Sequence, residues 1–379
     1  MGGSRQRPSR SARALMVLAS TALGLLLAEL GAGARRDHAY PFLNVFVPDP
    51  RFGVLLEPGA ETRTRSRDGH VTSVAVNRAG FRGPAWRPAP DAAPVAGRVM
   101  ILGDSQVFGY GVAWEESVAA ALPGLPSGPR EALAAAVPSW GPTEYLRAVE
   151  SLGPVYRPTH VVFVANAAND WFEVGVPNAR RSTARDGWLV QHAATAADAP
   201  RWFPGRSLLM QRSQLVLAAR RLFAHAADRA LPAADAAQRL LREARQPSPR
   251  GPGGAAHRSR MTEALLEAAR ACRPLGCRVV AAALPLDVQV HPGEWAKYRG
   301  APRSLEPARA LLDDFVADAR DAGIPAVNLM DALSASSPGA FLPDDYHLSP
   351  KGHRAVAQAL APLLTDTVDT AALAAEETR

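Results

Sequence analysis

Apolar residues are unevenly placed along this chain of 379 residues. From residue 97 onward they gather in short continuous runs, separated by stretches in which apolar positions recur every three or four residues. The runs at 98–103, 132–137, 160–165, 278–284 and 325–329 predict strands buried on both faces. The periodic stretches 114–121, 142–152, 259–271, 305–322 and 350–364 predict helices. Such alternation predicts an α/β domain over 97–364, with a parallel sheet covered by helices on both faces.

Two regions depart from that rhythm. Residues 37–96 read as a β-rich extension and linker. Within them 61–65 and 71–76 flank Asp68-Gly69, a good hairpin turn pair, and Asn77-Arg78-Ala79-Gly80-Phe81-Arg82-Gly83 follows before a Pro- and Ala-rich stretch to Ala96. Residues 174–258 read as a helical insertion. Its 207–245 segment predicts one or two helices rich in Arg, Ala and Leu, and 246–254 is a flexible linker by composition. The tail 365–379 reads as a frayed helix end.

The first 36 residues have a pattern of their own. Arg5, Arg7, Arg10 and Arg13 precede an apolar stretch from Ala14 to Ala28, and Ala32-Gly33-Ala34 follows. A basic region, an apolar region and an A-x-A site make a secretory signal, or a signal anchor if uncleaved. Either way the positive-inside rule places the rest of the chain outside the cytoplasm: in the periplasm or on the outer face of the inner membrane, or secreted if cut after Ala34. The same residues change the reading of the net charge of +7, because five of those charges fall in the first 36 positions. The small remainder argues against a nucleic-acid partner. Cys272 and Cys277 make a poor metal site; in an oxidising compartment they would close a small disulfide loop, the alternative being free thiols. No metal or other cofactor is called for.

Candidate chemistry begins where the first run ends. In Ile101-Leu102-Gly103-Asp104-Ser105-Gln106-Val107-Phe108-Gly109-Tyr110-Gly111 a serine follows a buried strand directly, at the edge where open α/β sheets place their ligands. The plain alternative is a serine N-cap. An activated serine needs a histidine base, a group to orient it and donors for an oxyanion. Near the C-terminus, Asp344 and His347 stand three apart before a helix opened by Pro350, a spacing that would let the carboxylate reach the imidazole within one turn. Asp345 is the rival partner, with a worse expected reach. Gly141 and Asn169 each follow another predicted strand, at the same sheet edge as Ser105. They are candidate donors beside the Ser105 N–H, with Asn166 the weaker rival to Asn169 and helix capping the plain alternative. Asp104 is expected to brace the turn and His353 to pack in the final helix. Tyr110, Trp140 and Trp171 are candidates to stack on a sugar ring, with core packing the alternative.

These blocks, taken in order, resemble the SGNH hydrolases, also called GDSL esterases: Gly103-Asp104-Ser105 with Gly109, then Gly141, Asn169-Asp170, and Asp344-x-x-His347. Alanine at 167 departs from the glycine that family often has two residues before its asparagine. The resemblance spans 98 to about 364 and implies a three-layer flavodoxin-like α/β/α fold. It also implies Ser105 as nucleophile, Gly141 and Asn169 as oxyanion donors, and Asp344 and His347 as the remaining catalytic pair. The leader and the segment ending in Asn77-x-x-Gly80-Phe81-Arg82 are similar to envelope-associated members of the family. The expected function is an extracytoplasmic esterase or O-acyltransferase whose partners are a small-acyl ester or glycan substrate and, through an uncleaved leader, the membrane. The alternatives are a catalytically idle module that binds a glycan or a partner protein, and a lipase-type esterase.

Overall fold

The computed structural model describes residues 9–66, 69–191, 206–218, 254–298 and 305–365. The five apolar runs form one sheet: β1 (Val95–Gly103), β2 (Glu131–Ala136), β3 (Pro158–Asn166), β4 (Arg278–Leu284) and β5 (Ala326–Asn328). All neighbours are parallel, in the order β5-β4-β3-β1-β2. This 2-1-3-4-5 order is the flavodoxin arrangement, and it places a topological switch point between β1 and β3. Val99, Met100, Ile101 and Leu102 are completely buried, as a strand covered on both faces requires. Each such side chain contributes roughly 1.5–3 kcal/mol relative to exposure.

Helices cover the sheet. After a single turn α1 (Ser105–Phe108) come α2 (Pro142–Tyr156), α3 (Gly254–Cys272), α4 (Glu306–Asp321) and α5 (Pro350–Leu360). Helix α2 packs on α3 and α3 on α4, while α5 packs on the short helix Val118–Ala121. The spacing of Tyr145, Ala148, Val149, Leu152 and Tyr156 gives α2 one buried stripe. Helix α5 starts cleanly because Ser349 caps it, accepting from the Gly352 N–H at 3.2 Å, and Pro350 occupies its first position. The expected helix over 114–121 is divided in two. Trp114–Glu116 is a 3₁₀ turn, and the Ser117 hydroxyl starts a new helix by accepting from the Ala120 N–H.

In the extension, Phe46–Asp49 pairs with Gly53–Leu56 and Glu61–Arg65 with Val71–Ala75, both antiparallel. Gly69 of the expected turn has φ +92°; Asp68 lies outside the described residues. The extension is anchored to the main domain by ring contacts, with Phe52 stacked on Trp140 at 4.5 Å and Phe81 meeting the same ring edge-on at 5.7 Å. Arg82 is the stronger tie. It is 1% exposed and donates to the carbonyls of Phe108, Gly109 and Val112 at 3.1, 2.5 and 2.6 Å.

The 174–258 region is not purely helical where it is described. After a turn of helix at Asn178–Arg181, Ser182–Arg185 pairs antiparallel with Trp188–Gln191 around Asp186 (φ +51°) and Gly187 (φ +79°). An Asp-Gly pair with both φ positive is a two-residue hairpin turn, which the local composition concealed. Arg206–Arg212 is helical and so are residues 214–218, while 219–245 and most of the linker lie outside the described residues; Gly254 is already the first residue of α3. Cys272 and Cys277, between α3 and β4, form a disulfide. The leader is a helix, Arg10–Arg35, long and apolar enough to cross a membrane, and its apolar window has no burial inside the protein. Glu29 of that helix accepts from the Ser213 hydroxyl and from the N–H groups of Gln214 and Leu215 at 2.7, 2.6 and 3.0 Å.

Candidate active site

The turn after β1 is as tight as its sequence suggests. A Cβ on Gly103 would lie 2.2 Å from Val107 Cγ2, so only glycine lets α1 fold back on the strand end. Asp104, not Ser105, is the N-cap: its Oδ1 accepts from the Gln106 N–H at 2.9 Å, and its Oδ2 accepts from Asn166 Nδ2 at 2.8 Å. Burial raises the Asp104 carboxyl above its ordinary range, against the pull of these bonds. Ser105 is therefore the first helical residue, where a backbone N–H has no intrahelical acceptor. Gly109 ends the turn in the left-handed region at φ +75°, and Arg82 holds its carbonyl.

His347 meets this serine from a loop closed by the antiparallel bridge of Phe341 and Leu348. His347 Nε2 lies 2.8 Å from Ser105 Oγ, and Nδ1 lies 2.8 Å from Asp345 Oδ1. The expected pairing with Asp344 is therefore corrected. Residues three apart share a face only in a helix, and 341–348 is a non-helical turn in which Asp345 doubles back on the ring. Asp344 is exposed and lines a cavity of about 210 Å³ with Ser66, His70 and Glu116. Burial pushes the Asp345 carboxyl up. The facing His347 and the N–H bonds of Tyr346 and His347 outweigh it and hold the group below its ordinary range. An ionised Asp345 fixes the proton on Nδ1, which leaves Nε2 to accept from the serine.

Sequence reasoning overlooked two side chains that position this loop. The Gln106 amide donates to the Tyr346 carbonyl at 3.1 Å and accepts from the Leu348 N–H at 3.0 Å, so the residue beside the nucleophile holds the chain on both sides of the base. Lys297 Nζ donates to the Asp345 carbonyl at 2.9 Å and is itself paired with Glu294 and Asp287. Its only sequence signal is a basic residue close to two acids. The Tyr346 and Tyr110 rings lie 4.4 and 4.9 Å from the imidazole. Trp140 and Trp171, candidates for stacking on a sugar, are core residues: Trp140 is fully buried and donates to the Val54 carbonyl, and Trp171 meets Phe315 edge-on.

Gly141 and Asn169 stand at the ends of β2 and β3, and one acidic network holds both. The Gly141 N–H donates to Glu144 Oε2 at 3.2 Å, and Asn169 Nδ2 donates to Glu173 Oε2 at 3.0 Å. The two sites adjoin, since a Cβ on Gly141 would lie 3.1 Å from that same Glu173 oxygen. Asn169 is the N-cap of Asp170–Glu173 by position but makes no side-chain cap bond. Its Oδ1 is buried without a hydrogen-bond partner among the described residues. Asn166, its rival, is spent on Asp104 and on the Ala168 N–H. Burial raises the Glu173 carboxyl to about 7 although Arg181 and Asn169 pull it down. His353, 1% exposed, accepts from the Val118 N–H at 3.3 Å and is a packing residue.

An open α/β sheet of flavodoxin order thus brings a serine, a histidine and an aspartate together at its switch point, the arrangement that serine-dependent acyl chemistry requires. Residues 240–379 match the family described as SGNH hydrolase-like domain, acetyltransferase AlgX. That stretch includes Asp345 and His347 and leaves out Ser105, Gly141 and Asn169. Over those 140 of its 379 residues the chain is similar to that family. No curated protein matches its sequence. Solved structures similar to it include a lipolytic protein of the G-D-S-L family from Desulfitobacterium hafniense DCB-2, at 11% identity, TM-score 0.36, covering 70% of this chain and 99% of the other. A GDSL-like lipase from Bacteroides thetaiotaomicron VPI-5482 is similar at 9% identity and TM-score 0.38, covering 71% and 87%. A member of the lipolytic protein G-D-S-L family from Veillonella parvula DSM 2008 is similar at 11% identity and TM-score 0.36, covering 70% and 96%.

Proposed function

We propose that the chain is an extracytoplasmic serine esterase or O-acyltransferase that works through an acyl-enzyme on small acyl groups, acetyl above all, carried by a carbohydrate. The observation that carries the reading is the continuous chain from Ser105 Oγ through both nitrogens of His347 to Asp345 Oδ1, each link 2.8 Å. Ser105 Oγ attacks the acyl carbonyl while its proton passes to His347 Nε2, and Asp345 stabilises the imidazolium. Negative charge on the carbonyl oxygen is received by the Ser105 N–H with Gly141 and Asn169 as the further donors. His347 then returns the proton to the departing alcohol. The same residues serve water in hydrolysis and a sugar hydroxyl in transfer. The apolar leader supports placement at a membrane surface, and the description of the matched family as an acetyltransferase supports an acetyl group.

A non-catalytic binding role has one observation in its favour: in this structure the Asn169 amide and the Gly141 N–H are engaged by carboxylates. One experiment separates the two readings. The purified protein is treated with a fluorophosphonate, and turnover of an aryl acetate and of acetylated sugars is measured for the parent and for Ser105→Ala. Labelling at Ser105, with turnover lost in the folded variant, is the expected result. An unlabelled parent with no turnover overturns the enzyme reading.

A further inference from the structure

Gly141 and Asn169 lie at the ends of different strands, yet one guanidinium reaches both of them through two carboxylates. Arg181 Nη1 stands 2.7 Å from Glu173 Oε1, and Nη2 stands 3.2 Å from Glu144 Oε2. Each carboxylate also takes an expected donor: Glu173 takes Asn169 Nδ2 on its other oxygen, Oε2, and Glu144 takes the Gly141 N–H on the same Oε2 that meets Arg181. Arg181 Nε donates to the Val176 carbonyl at 3.1 Å, which fixes the plane of the guanidinium. Arg147 also approaches Glu144, at 3.8 Å, but not Glu173. Glu144 is fully buried, and a buried carboxylate needs a paired cation or hydrogen bonds.

The rest of this turn braces the same loop. Asn178 N–H donates to Glu144 Oε1 at 2.8 Å, and Asn178 Nδ2 donates to the Ser139 carbonyl and hydroxyl at 2.7 and 2.8 Å. Ser139 has φ +80°, a conformation that a non-glycine residue keeps only when its surroundings enforce it. The segment 178–181 thus holds the loop ahead of Gly141 as well as the two donors.

We propose that Arg181 is a positioning residue for acyl transfer, setting through Glu173 the direction in which Asn169 donates to the oxyanion and bracing through Glu144 the loop that carries Gly141. The proposal rests on the reading of those two residues as oxyanion donors. With the Asn169 amide bonded to Glu173 and also drawn to the Asp104 carboxyl, its plane is set before substrate arrives. A carboxylate so near a developing oxyanion would oppose it, and the guanidinium offsets that charge. The forked geometry matters because a lysine ammonium offers a point charge in place of two parallel donors.

The test compares kcat and KM on an aryl acetate for the parent, Asn169→Ala, Arg181→Ala and the double variant of the full chain. Asn169→Ala should lower kcat about 10²–10³-fold with KM nearly held, as loss of an oxyanion donor does. Arg181→Ala should lower kcat about tenfold or more in the parent but only about threefold or less in the Asn169→Ala background, because residues that act through one another are not additive. Equal fold-losses in both backgrounds, or no loss, overturn the proposal and leave the donor reading standing. An unchanged kcat in Asn169→Ala overturns the donor reading and the proposal with it. Where Arg181→Ala does not fold, Arg181→Lys enters the same cycle, and the same non-additivity is required of it.

Discussion

Asp345 Oδ1 lies 2.8 Å from His347 Nδ1, two residues away in sequence, while Asp344 faces solvent. Asp345→Asn should therefore cost about 10²–10⁴-fold in kcat/KM, because an amide in that position favours the wrong tautomer of the base. Asp344→Asn should turn over an aryl ester at the parent's rate. The reverse ranking in purified, folded variants would show that the loop rearranges in solution.

Gln106→Leu keeps the volume of the side chain and removes its bonds to Tyr346 and Leu348. A buried carbonyl and N–H are left unpaired, a loss of about 1–3 kcal/mol each. The expected outcome is a lower denaturation midpoint together with a fall in kcat, since the base loop loses its tie to the turn that carries the nucleophile. A kcat equal to the parent's would show that Lys297 alone holds the loop.

Arg82→Met should destabilise the whole domain by about 3 kcal/mol or more, because the carbonyls of Phe108, Gly109 and Val112 all lose their donor. Burial already lowers the Arg82 group to about 10, so its charge is costly and the gain lies in the hydrogen bonds. Denaturant unfolding of parent and variant provides the measurement, and equal midpoints would contradict the role of this side chain.

His353 supplies a pH dependence of stability. Burial, with the charges of Arg82 and His347, lowers it to about 3, so it stays neutral in the fold when an exposed histidine would protonate. The unfolded chain then binds more protons than the folded one between an unfolded pKa of about 6.5 and that lowered value. Stability from this group is complete above the upper limit and is lost as pH falls through the window. His353→Gln should flatten that part of the profile in thermal melts taken across it; an unchanged slope would assign the acid sensitivity to another group.

The sheet was legible because each strand is a run of apolar residues with no helical period, and the serine and histidine were legible because each closes such a run or opens a capped helix. The orienting carboxylate was not, since its choice depends on the path of a turn and not on spacing. Gln106, Arg82 and Arg181 were invisible for a different reason: their partners are distant in sequence, and nothing local marks a glutamine that will meet a loop 240 residues away. The Asp186-Gly187 hairpin was readable in principle, but the Arg- and Ala-rich stretch around it suggested a helix.

The bond between Glu29 and the helical turn starting at Ser213 joins the apolar leader to the body of the protein. The turn has its ordinary cap, Ser213 Oγ accepting from the Val216 N–H at 3.0 Å, and to this Glu29 adds an acceptor from 184–186 positions upstream. With the leader held in a bilayer, this contact works as a hinge pin and not as a loose tether. It would then limit how far the face that carries Ser105 can turn away from the membrane plane, and under the proposed function an acyl acceptor would be presented along that surface. Removal of the leader would release this restriction and leave the N–H groups of Gln214 and Leu215 without their acceptor in a single step.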